Sequence, residues 1–82
     1  TLKREAWNFV INNISNRLYV PGSGQFPGYD SNNVGRTGNK FEVYVDYTAM
    51  NRFGIRVRGC RLVTLNLTST GYVIHSEKNL LE

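Results

Sequence analysis

Apolar residues return every fourth position at the start of the chain, at Leu2, Ala6, Val10, Ile14 and Leu18, with Trp7 and Ile11 widening the stripe. That spacing describes one face of an amphipathic helix. Lys3, Arg4, Asn8, Asn12 and Asn16 fall on the opposite side, and Pro21-Gly22 ends the pattern, so a helix is expected over about residues 2–18. From Lys40 the period drops to two. Phe41, Val43, Val45 and Tyr47 alternate with Glu42, Tyr44 and Asp46, as in a half-buried strand. A second long strand keeps Ile55, Val57, Val63, Leu65 and Leu67 in one register, interrupted by Gly59 and Arg61. Its other face carries Arg56, Arg58, Cys60, Leu62 and Thr64.

Between helix and strands, "YVPGSGQFPGYDSNN" reads as a connection over about residues 19–33, in which Phe26 or Tyr29 plugs the edge of the core. Val34 belongs to a short strand before the turn "GRTGN", and "TSTG" closes a hairpin in which Gly71 supplies a positive φ. The strands are expected at about residues 34–36, 40–48, 54–67 and 72–76. The resulting fold class is α+β, with one N-terminal helix packed on a three- to four-stranded antiparallel meander sheet whose far face is left open. The expected core joins Val10, Ile14, Val45, Val57, Val63 and Leu65.

The pattern also suggests pairings. Setting Tyr47 opposite Ile55 puts Asp46 against Arg56, Tyr44 against Arg58 and Val45 against Val57. If Gly71 closes a three-residue loop, Tyr72 and Ile74 join the open face, while Val73 and His75 turn toward the helix. Arg61 falls in the core register, with its stem on apolar groups and its head reaching water.

Length makes this one domain over residues 1–82, with a core near the lower limit for a chain lacking disulfides or metal. Cys60 is the sole cysteine, which favours a reducing, cytoplasmic compartment; an envelope-tethered position follows if the segment is excised from a longer chain, as its start without methionine suggests. No apolar run approaches a membrane-spanning length.

The formal charge is +4, and seven of the ten basic residues are arginine, which suits anionic partners. The bland alternative is that the charge keeps a small domain soluble. A catalytic set is missing: His75 and Cys60 are single and expected on opposite faces, Asp46 with Glu42 reads as a salt-bridging face, and a lone histidine with two carboxylates is a poor metal set. The chain is therefore expected not to be an enzyme and to carry no cofactor. Its expected site is the open face, with Arg56, Arg58 and Arg52 for phosphate and Tyr44 and Tyr72 for stacking a base.

"SGQFPGY", "YVD" and "FGIRVR" together resemble an uncharacterised small domain found at the ends of bacterial envelope or lipoprotein-like proteins and in phage-encoded proteins. The resemblance spans roughly residues 5–75 and rests on Ser23, Phe26, Pro27, Tyr44, Val45, Asp46, Phe53, Gly54, Val57 and Arg58. The bend between Asp46 and Phe53 is longer here than in that pattern. The resemblance implies a fold and no activity. A phage-encoded protein that sequesters a nucleotide-like signal fits this size and chemistry. A second expectation, from a different class, makes the open face a protein–protein or homodimer surface with Leu62, Ile74 and the tyrosines as anchors.

Overall fold

The computed structural model describes residues 1–81; Glu82, the last residue of the expected unit, lies outside them. The helix α1 spans Leu2–Asn16, a single 3-10 turn follows at Ser31–Asn33, and four strands complete the chain: β1 (Val34–Thr37), β2 (Lys40–Met50), β3 (Arg56–Thr68) and β4 (Gly71–Asn79). The sheet is an antiparallel meander in the order β1-β2-β3-β4. The expected fold class is the observed one.

Thr1 caps α1, its Oγ1 accepting from the Arg4 N–H at 3.2 Å. The helix stops two residues short of the expected end. Arg17 turns back instead, its Nε donating to the Asn13 carbonyl at 3.3 Å while its guanidinium grips Glu77 of β4. Leu18 packs against the core from beyond the helix. Ala6, Trp7, Val10 and Ile14 are buried against Val34, Phe41, Val43, Val45, Val63 and Leu65, the alternate residues of the strands. Phe26 and Tyr29 both close the edge of this core.

The helix lies over β1 and β2, toward one end of the sheet. At the other end β2 and β3 continue as an uncovered ribbon, and the molecule measures 41 × 24 × 23 Å along its principal axes. Val57 is where the expected core fails. It lies on this ribbon, paired with Ala49 rather than Val45, and is 44% exposed.

The cause is the turn. Asn51 Oδ1 accepts from the N–H groups of Phe53 (2.9 Å) and Ile55 (3.1 Å), and Gly54 takes φ +74°, so the chain reverses tightly over Asn51–Ile55. Tyr47 consequently meets Gly59, not Ile55. The shift is an even number of residues, so every side chain stays on its expected face but acquires a different neighbour.

The second hairpin fails differently. Thr68 pairs with Gly71, leaving a two-residue loop where three were expected, and one residue fewer exchanges the faces. Tyr72 and Ile74 therefore pack on the helix side, while Val73 is exposed. A register shift at Thr64/Leu65 then leaves His75 as an extra, exposed residue of β4.

Candidate functional site

Of the residues singled out for chemistry, all but Tyr72 lie on β2, β3 or the turn between them, and most are already engaged there. Arg58 forks onto Asp46 with contacts of 2.9 and 2.6 Å. This carboxylate lies diagonally across the strands, because Asp46 directly opposes Cys60. The Arg58 hydrogen bond holds the Asp46 carboxyl below its usual range, and Asp46 in turn raises the pKa of Arg58. Among the described residues, Arg58 is thus the arginine paired with a carboxylate and Arg56 the one without, the reverse of the expected assignment. Arg56 Nη1 donates to the Ser23 carbonyl and to Thr48 Oγ1, both at 3.0 Å. Arg52 rests over the Phe53 ring, 4.9 Å from its centroid.

The two tyrosines do not meet. Tyr44 shares the face of Arg58, where the neighbouring Cys60 thiol raises its pKa. Tyr72 is on the opposite face, wedged between Phe9 and Phe41, with its hydroxyl donating to the Leu2 carbonyl at 3.0 Å. Burial raises its pKa. It is a core residue in this fold. Cys60 is only 3% exposed although it lies on the face expected to be open, because Tyr44, Asp46 and Arg58 crowd it there. Arg61 lies in the core register as expected, reaching Tyr47 Oη at 3.4 Å and Glu77 at 3.3 Å.

One flank of the ribbon is sealed by the long connection. Gln25 pairs with Thr48 through both backbone bonds (2.8 and 3.2 Å), Ser23 Oγ accepts the Met50 N–H at 3.1 Å, and Phe26 stacks on Tyr47 with centroids 5.2 Å apart. Tyr47 in turn lies across Gly59, close enough that a side chain there would collide with its ring. Ser23, Phe26, Asp46, Gly54 and Arg58, which carried the family resemblance, thus have structural uses in this ribbon: an edge seal, a ring stack, an ion pair and a turn.

Sequence reasoning missed the apolar tip. Phe53 is 72% and Ile55 59% exposed, with Val57 and Met50 behind them and Tyr19 exposed on the chain leaving α1. Two large apolar residues flanking Gly54 in a tight turn were the available signal, since a turn has no core to offer them. At the root of the ribbon, between its helix-side face and the end of α1, lies a cleft of about 310 Å³ lined by Ile14, Leu18, Tyr47, Ala49 and Val57, with Arg17 and Arg61 also at its wall. The Arg17 hydrogen bonds, of 2.5 and 3.0 Å, hold the Glu77 carboxyl below its usual range.

Compared with known proteins, the chain matches no family model, no curated protein and no solved structure.

Proposed function

We propose that this chain is a non-catalytic interaction module that engages a partner protein through the β2–β3 ribbon. The observation that carries the reading is the apolar tip: Phe53, Ile55 and Val57 project from a ribbon that the helix does not cover, and they have no place in the core cluster. Exposed apolar side chains beside arginines suit a protein surface, where rings and aliphatic groups anchor and guanidinium groups flank. The suspected membership in the small envelope and phage-associated domain remains part of this proposal, supported by the shared residue pattern alone.

The competing reading, a nucleotide-like anion on the same ribbon, has one observation in its favour. Arg52, Arg56 and Arg58 follow one another along it, and of these three only Arg58 is paired with a carboxylate among the described residues. Against it, Tyr72, expected to stack a base, is held in the core between Phe9 and Phe41 with its hydroxyl on the Leu2 carbonyl.

A random linear-peptide display selection against the folded chain separates these readings when the double variant Phe53→Ser/Ile55→Ser serves as counter-target. Clones that bind the parent and lose the variant support the module. Clones indifferent to the variant, or none, contradict it. A concentration-dependent dimer in sedimentation that the variant abolishes makes a second copy the partner. Calorimetric binding of a nucleotide that Arg56→Ala removes installs the anion reading instead.

A further inference from the structure

The two flanks of the ribbon offer different backbone chemistry. Asn51 N–H bonds the Ile55 carbonyl at 2.9 Å, and the antiparallel register fixes the alternation from there: Val57 and Gly59 turn their N–H and C=O groups to β2, while Arg56, Arg58 and Cys60 turn theirs outward. Cys60 is satisfied on that side, its carbonyl accepting from Leu80 N–H at 2.9 Å. There β4 ends. Leu81 N–H bonds Asn79 Oδ1 at 3.0 Å and the chain turns away, so among the described residues nothing pairs with the outward groups of Arg56 and Arg58.

An open edge of this kind is a template for another strand. The side chains around it specify which strand. A segment lying beside β3 directs alternate residues to the two faces of the ribbon. One face holds Arg56 and Arg58, of which Arg56 has no carboxylate among the described residues. The other face opens on the cleft of mixed polarity, whose wall beside Ala49 and Val57 is apolar. A second copy fits poorly, because a two-fold pairing of this edge with itself, centred on Val57, sets Arg56 opposite Arg58 of the other copy, and like charges directly opposed are destabilising.

We propose that the β3 flank accepts an extended segment of a partner protein as an added strand, with carboxylate side chains facing Arg56 and Arg58 and apolar ones entering the cleft. This rests on the interaction-module reading and names its partner chemistry.

The test is a titration of the isotopically labelled full chain with a short end-capped peptide alternating glutamate and valine, followed by amide exchange in nuclear magnetic resonance spectra. Addition of a strand slows exchange of the Arg56 and Arg58 amides by about ten-fold, the factor one net hydrogen bond supplies, and leaves Val57 and Gly59 unchanged. A lysine–valine peptide does not bind, an N-methylated glutamate–valine peptide binds at least about ten-fold more weakly, and Arg56→Glu reverses the charge preference. Binding that perturbs Phe53 and Ile55 without slowing Arg56 and Arg58 overturns strand addition while leaving the apolar-tip reading standing. Equal binding of both charge patterns, or binding of neither, also overturns it; the peptide selection then reports separately on the module.

Discussion

The two long edges of the β2–β3 ribbon leave the body of the protein together and are treated in opposite ways. The β2 edge receives Gln25 as a one-residue strand and Ser23 as a side-chain cap, and Phe26 clamps the same segment through Tyr47. The β3 edge receives Leu80 opposite Cys60 and then nothing from the described chain. Protrusion alone does not explain the difference, since both strands protrude equally. A fifteen-residue helix covers the far end of the sheet but not this one, so the connection, rather than the helix, decides which edge is closed.

The contrast between covered body and uncovered ribbon is sharpest for one substitution made in both. Ile14→Ala, in the buried cluster, is expected to cost about 2–5 kcal/mol, whereas Ile55→Ala on the ribbon stays within about 0.5 kcal/mol. Denaturant melts of the two variants measure this directly. Similar losses would mean that the tip packs as core in solution.

The next effect breaks the sealed flank from inside. Gly59→Ala forces a methyl into the Tyr47 ring and so strains its stack on Phe26, at about 1–3 kcal/mol, while Gly28→Ala meets nothing and is near neutral. A neutral Gly59→Ala in thermal melts would show that the ring moves freely and that the seal does not depend on it.

Proline distinguishes the edges more finely. Val57→Pro removes an N–H that bonds Ala49 across the ladder, a net loss of about 0.5–1.5 kcal/mol. Arg58→Pro removes only an outward N–H, so relative to Arg58→Ala it is expected to change stability less. If Arg58→Pro proves the more damaging in melting curves, the assigned alternation of β3 is reversed.

Much of this was legible in the sequence, and the failures of pairing share one origin. The four-residue stripe of α1 and the two-residue alternation of β2 and β3 locate the elements and assign the faces correctly, because periodicity survives any even slip. Pairing is set elsewhere, in the turns. Asn51 tightens one hairpin and carries Arg56 from opposite Asp46 to opposite Met50, leaving that carboxylate to Arg58; a single residue fewer after Thr68 sends Tyr72 from the open face into the core. Cys60 shows a second limit: its face was assigned correctly, but its burial comes from neighbours across the strands that only the register supplies. Thiol labelling of the folded chain is accordingly expected to be slow. The connection's role in sealing β2 had no periodic signal at all.

The smallest effect expected is on acid stability. Glu77, whose ordinary value is 4.5, is held lower in the fold by Arg17, and Asp46, ordinarily 3.8, is held lower by Arg58. The unfolded chain therefore binds these protons first as pH falls. Their contribution is complete above the ordinary values and is lost as pH drops through the depressed folded ones. Denaturation at graded pH should show a decline beginning below about pH 4.5, shallower in Glu77→Gln. A decline of equal steepness in that variant would remove Glu77 from the account.

The central claim is that β3 presents an open edge and β2 a closed one, and amide exchange in the free protein tests it residue by residue. Thr48 and Met50, bonded to Gln25 and Ser23, are expected to exchange slowly, as are Val57 and Gly59 in the ladder. Arg56 and Arg58 are expected to exchange faster than all four. Equal protection of Arg56 and Arg58 with Thr48 and Met50 in the monomer would contradict the account, because something would already occupy the edge proposed for a partner.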